Sequence, residues 1–261
     1  MRGLVLPLLC VLSGCLRNRG PVDPLDALLR AADIAWERRG TDGLDATHTA
    51  LQPAWEFRRD DPRVRWRMAR VQTARGMVAE EDADAQRLYS SARGHGMSCL
   101  DTVPGFASAR RQGEWAEAVG RVGSIQTECV AWTGLAWTRW RQSVGVAGAL
   151  DDEPIQQFVG AMPPDRLGLQ AWSAAIADSL YDLGAAEASF AQAIRSAPGD
   201  LVRRVDRLLW VRAVREPATL HERGPQLVLR TADVPEEQGA IDRVQRAMRT
   251  GDARPTSRLD P

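Results

Sequence analysis

The chain has no lysine: all 34 of its basic residues are arginine. Without a lysine amine, neither Schiff-base chemistry nor the phosphate-gripping lysine of a P-loop is open to it. It also lacks net charge, with 34 acidic residues against 34 basic. That balance argues against a nucleic-acid-binding polycation and against an acidic buffer protein. Histidine is scarce. His48, His95 and His221 stand far apart, and no two of them lie one helical turn apart as a histidine metal pair would. No Gly-x-Ser-x-Gly elbow follows a strand. No run shows sustained apolar/polar alternation with β-branched enrichment, so no strand is expected.

Cysteine is limited to four residues, and two of them lie at the start. Arg2 is followed by an almost wholly apolar run from Leu4 to Leu12. That run is shorter than the roughly 20 apolar residues a membrane-spanning helix needs. A basic start, a short apolar core and small residues after it form the layout of a secretory signal. Leu12-Ser13-Gly14-Cys15 resembles the bacterial lipobox, in which the cysteine sulfur accepts diacylglycerol and becomes the first mature residue. Residues 1–14 are therefore expected to be removed, Cys15 to carry lipid, and residues 15–23 to act as a tether. Acyl chains on one residue anchor a protein because each buried CH₂ contributes about 0.8 kcal/mol. Leu16 in place of aspartate after the lipidated cysteine favours the outer membrane over the inner. Cys99 and Cys129 then remain in an oxidising compartment, as a disulfide or as two buried thiols.

What is abundant is helix-forming sequence. Ala, Leu, Arg, Glu and Gln fill long segments separated by Gly and Pro. Pro24-Leu25-Asp26 opens a first helix, and Leu28, Ala31, Ala32, Ala35 and Trp36 share one face. A second helix runs through Ala46, Ala50, Ala54 and Phe57 and stops at Asp60-Asp61-Pro62, where a third begins. A fourth carries Ala85, Leu88, Tyr89 and Ala92. An irregular stretch around Pro104-Gly105 and Gly123-Ser124 precedes the most aromatic helix, which starts at Cys129. Gly184, Ala186, Phe190, Ala193 and Pro198 have the spacing of the second helix of a tetratricopeptide repeat, with Ile176, Ala177 and Leu180 on the first. The expected fold is all-α, a TPR-like α-solenoid of antiparallel helical hairpins over residues 24–250. Residues 251–261 form a tail.

No constellation calls for catalysis or a metal. His95 lies near Cys99, but a glycine-flanked histidine reads as a turn residue. Glu80 to Asp84 and Asp151 to Glu153 read as acidic helix starts favoured by the macrodipole. The strongest candidate site is the aromatic helix. Trp132, Trp137, Arg139, Trp140 and Arg141 either line an aromatic, arginine-edged cavity for a carboxylate or fill the core between small residues.

A resemblance adds a second line. Trp36 and Arg39 at the end of the first helix, Asp61-Pro62, Met68-Ala69-Arg70, the segment from Tyr89 to Cys99, the Cys129–Trp140 helix with Gly145, and the late "QLVLRTADVPEEQGAIDRVQRAM" together resemble the TatT-type lipoproteins. These are the T components associated with TRAP transporters. The resemblance implies a lipid-anchored, non-enzymatic periplasmic protein with cryptic tetratricopeptide repeats and no cofactor. It also implies a homotrimer that docks the soluble substrate-binding protein of a TRAP system and assists ligand uptake. The alternative is a general cell-envelope scaffold for outer-membrane or cell-wall assembly. No nucleic acid is implied in either case.

Overall fold

Two aspartate–proline pairs set the frame. Asp23 caps the first helix by accepting the Leu25 N–H at 3.1 Å, and Pro24 occupies the first helical position. Asp61 repeats the device, accepting the Arg63 N–H at 2.8 Å ahead of Pro62. In each case the carboxylate satisfies an N–H that the helix cannot, and proline gives up only an N–H the helix would leave unpaired.

The computed structural model describes residues 23–164, 168–179, 182–197, 203–204, 206–207 and 235–250. The signal, Cys15, the tether, Leu180, Pro198, His221 and the tail lie outside them. Among the described residues there is helix and no strand, and no helix is long and apolar enough to cross a membrane. The helices are α1 (Pro24–Glu37), α2 (Arg39–Arg58), α3 (Pro62–Val78), α4 (Asp82–Leu100), α5 (Phe106–Arg111) and α6 (Trp115–Gly120). They continue with α7 (Thr127–Val144), α8 (Asp152–Ala161), α9 (Leu169–Asp178), α10 (Leu183–Ser196) and α11 (Pro235–Thr250). Arg203, Arg204, Asp206 and Arg207 are also helical.

Successive long helices pair antiparallel: α1 with α2, α3 with α4, and α9 with α10. Within α2 the helix is broken by a kink at Gly43, whose φ of 80° suits a residue without Cβ. Helix α7 packs against α3, α4 and α9, so it is the axis of the molecule. It approaches α4 closely at Gly96, where a Cβ would sit 1.8 Å from Thr133 Oγ1. One helical turn further along the same pair, a disulfide joins Cys99 and Cys129, both fully buried. The excursion that the sequence marks as irregular holds α5, α6 and a 3-10 turn at Ser124–Gln126. Ala186, Phe190 and Ala193 of the repeat-like segment are buried, and Phe190 packs with Ala175.

One arrangement differs from an open stack of hairpins, in which each repeat touches only its neighbours. Helix α11 lies against α3 and α2. Arg243 donates to the Met77 carbonyl across 166 residues of sequence, at 2.8 Å. Arg39 Nε donates to Glu236 at 3.0 Å. The late helix therefore covers the early ones. Gly239 permits this, since a Cβ there would stand 3.3 Å from the Met77 carbonyl and from Val78.

Candidate ligand pocket

The five residues singled out on α7 do not converge. Consecutive helical residues turn by about 100°, so positions 132 to 141 point around the whole helix. Trp132 meets Trp36 edge to face at 6.4 Å. Trp137 packs on Trp115 and Phe158, with ring centroids 4.8 and 5.8 Å away, and its N–H is satisfied by Asp151 at 2.7 Å. Trp140 lies under the Arg93 guanidinium at 4.5 Å. Arg141 binds the Asp152 carboxylate and the Gly145 carbonyl. These four hold the core together. Arg139 lines a cavity.

That cavity, of about 110 Å³, lies where the end of α3, the start of α4, the end of α7 and the middle of α11 meet. Each wall follows from the local sequence. Gly76 clears a bed for the Tyr89 ring, because a Cβ there would come within 2.6 Å of it. Arg243 occupies the α11 wall, where its Nη1 satisfies Met77 O, a carbonyl in the last turn of α3 that lacks a helical donor. Arg139 is held by Asp206 and lies 5.1 Å over Trp172, whose N–H binds the same carboxylate at 2.9 Å. Met77, Val78 and Ala85 supply apolar wall, and Glu80, Asp82 and Asp242 stand exposed at the rim.

Two groups in this site stay unused. The Tyr89 hydroxyl meets no hydrogen-bond partner among the described residues. Burial pushes its phenol up, so it remains a donor at neutral pH. Arg243 Nη2 is buried without a hydrogen bond, 3.8 Å from Asp206. Burial pushes that guanidinium below its usual range, while Asp206 works to raise it. Buried donors without acceptors are uncommon in folded proteins and cost about 1–3 kcal/mol each.

The chain matches no protein-family model, no curated protein and no solved structure.

A second arginine–aromatic assembly lies between α1 and α3. The Arg70 guanidinium stands 4.2 Å from the Trp36 ring and 4.8 Å from Trp66. Arg39 covers Trp36 at 4.1 Å, and Arg67 covers Trp66 at 4.2 Å. Asp33 accepts from Arg67 at 2.8 Å and from Arg70 at 3.1 Å. Burial holds Arg70 down to about 10. Burial works to raise the Asp33 carboxyl, but the two guanidiniums outweigh it and hold the carboxyl low. The Trp36/Arg39 spacing noted in the sequence is thus a stacking pair.

The histidines form a third cluster. His48 contacts Gln52 and Gln72. His95 stands edge-on to Trp55 at 4.8 Å. Burial holds its imidazole down at about 4, and the charges of Arg65 and His48 push the same way. The Cys99 sulfur lies in the disulfide, so it has no thiolate to offer His95 as a nucleophile. Among the described residues no group of three or more His, Cys, Asp or Glu could hold a metal.

Proposed function

We propose that this chain is a lipid-anchored helical binding protein of the bacterial envelope, working as a T-type component beside a TRAP transporter. In this reading it holds a small ligand in the interhelical pocket and docks the transporter's periplasmic substrate-binding protein. The observation that carries it is the pocket itself: a solvent-connected space between helices, walled by guanidinium, phenol and amide groups, with polar donors left over. Such groups orient and hold a ligand. Helical hairpins are the units from which a cryptic TPR-like solenoid would be built, and α11 lies against α2 and α3.

Placement supports the reading. The chain enters at Asp23, which pairs with Arg58 and Arg63 beside the start of α3. The pocket lies at the other end of α3, a helix of 17 residues, about 25 Å away. Eight residues from a lipidated Cys15 to Asp23 span at most about 28 Å, so the Asp23 end would stay within that distance of the bilayer. Just past α7, Val146 is 66% exposed and Leu150 is 92% exposed. Two large apolar side chains on one solvent-facing turn suit a protein partner.

The anchor is tested by Cys15→Ser. The variant should move from the membrane fraction to the soluble periplasm, and continued membrane retention would refute the lipid anchor. Docking is tested by affinity capture of the lipidated chain with the TRAP substrate-binding protein produced beside it. Capture weakened by Leu150→Asp is the expected result. No complex between the two folded proteins would refute the docking role.

A further inference from the structure

We infer that the pocket binds a short-chain carboxylate of two to four carbons carrying a single negative charge, and that this ligand clamps α11 onto α4. The inference deepens the binding-protein reading and rests on it. Size comes first. A volume of about 110 Å³ is somewhat below the roughly 150 Å³ cavity that takes up benzene, which suits a molecule of four to six heavy atoms. Charge comes second. Arg243 offers a planar guanidinium, which fits a carboxylate better than any other side chain does. Its Nη2 is buried with no hydrogen bond. The Tyr89 hydroxyl, also without a partner among the described residues, supplies a second donor from α4.

The remaining walls narrow the choice. Met77, Val78 and Ala85 give apolar surface for a short alkyl or acyl body. The carboxylates of Glu80, Asp82 and Asp242 line the site with Arg246 beside them, and Asp206 already pairs with Arg139 and Arg243. Four acidic groups against three guanidiniums oppose a second negative charge on the ligand, so a phosphate dianion is disfavoured against a monocarboxylate. Because Tyr89 belongs to α4 and Arg243 to α11, one bound carboxylate touches both helices. Any ligand that binds only the docked arrangement stabilises that arrangement by mass action.

The test is calorimetric titration of the purified mature chain with acetate, propionate, butyrate and pyruvate, with inorganic phosphate and propionamide as the other arms. Hydrogen exchange over residues 235–250 is followed in parallel. The expected result is one site for at least one carboxylate, with slowed exchange in α11 on binding. Tyr89→Phe should weaken that binding about tenfold, the worth of one hydrogen bond to a charged group, and Arg243→Gln should weaken it more. Should Arg243→Gln fail to fold, Tyr89→Phe decides alone. Carboxylate binding that Tyr89→Phe leaves untouched overturns the site. Tyr89-dependent binding of phosphate or propionamide, with no carboxylate bound, overturns the ligand class while sparing the binding-protein reading. No binding of any probe to the folded chain overturns the inference, and docking to the substrate-binding protein then reports separately on the parent reading.

Discussion

Two regions of this molecule are built from the same materials and come out differently. Between α1 and α3, guanidiniums alternate with indoles at 4.1 to 4.8 Å, and Asp33 bridges two of them. Between α4, α7 and α11, three arginines, a tyrosine and the carboxylates of Glu80, Asp82 and Asp242 line about 110 Å³ of space, and the Tyr89 hydroxyl is unpaired among the described residues. The first region is filled. The second keeps room. The difference lies in the helices around them rather than in the residue types. Trp36 and Trp66 are large enough to occupy the gap between their helices. At the pocket, Gly76 makes room for the Tyr89 ring and Gly239 lets α11 approach the α3 backbone at Met77 and Val78, so no bulky side chain fills the space between. Arginine beside an aromatic ring is therefore glue or site according to the volume left over.

The filled region should be the harder to injure without consequence. Trp132→Ala removes the indole that abuts Trp36 at the junction of the ladder with the main core. Deleting a buried tryptophan typically costs about 3–5 kcal/mol, and chemical denaturation should show a loss of that size. A fall under about 1 kcal/mol would mean that the ladder region is loosely packed and that the contrast with the pocket is false. The next largest effect belongs to the disulfide. Replacing Cys99 and Cys129 together by alanine opens a loop closed over 30 residues. Loop-closure entropy sets that loss at about 3–4 kcal/mol, and the variant's unfolding midpoint in urea reports it.

Much of the filled region was legible in the sequence, and little of the pocket was. Asp23-Pro24 and Asp61-Pro62 announce two helix starts because their chemistry is local. The break at Gly43, the acidic first turn of α4 and the irregular stretch before α7 follow from single residues and their neighbours. The five α7 residues were legible as a cluster but not as separate environments, since the sequence does not say which helix each one faces. Tyr89, Asp206 and Arg243 are far apart in the chain, and only the return of α11 brings them together. Gly239 within an otherwise ordinary helical segment was the one local sign of that return, since a glycine there marks close approach of another backbone. Nothing nearby says which backbone it would be.

The histidine cluster sharpens the comparison through pH. His95 is held down at about 4 by burial, against an ordinary value of about 6.5. The unfolded chain therefore binds a proton between those values that the folded chain does not. Stability should be complete above about pH 6.5 and decline as pH falls toward 4, by up to about 3 kcal/mol for this residue. Burial depresses His48 as well, in the same direction. In His95→Phe the ring still faces Trp55, but the proton site is gone. Its melting temperature should fall less steeply between pH 6.5 and 4 than the wild type's, and an identical slope would show that His95 is not shielded.

The smallest effect is the most discriminating. Tyr89→Phe deletes one oxygen from the pocket and leaves the ring on its bed at Gly76. A buried hydroxyl that serves the fold is worth about 0.5–1.5 kcal/mol through its hydrogen bond, and losing it should be measurable. This hydroxyl has no such bond among the described residues, and burial already disfavours its ionised form. Thermal unfolding of the variant should therefore match the wild type within about 0.5 kcal/mol, or exceed it slightly as an unpaired polar group leaves the interior. A clear loss of stability would assign the oxygen to the architecture and make the pocket a second filled region. Unchanged stability with weakened carboxylate binding would separate the two regions by purpose as well as by volume, since the ladder's groups hold the fold and this one awaits a ligand.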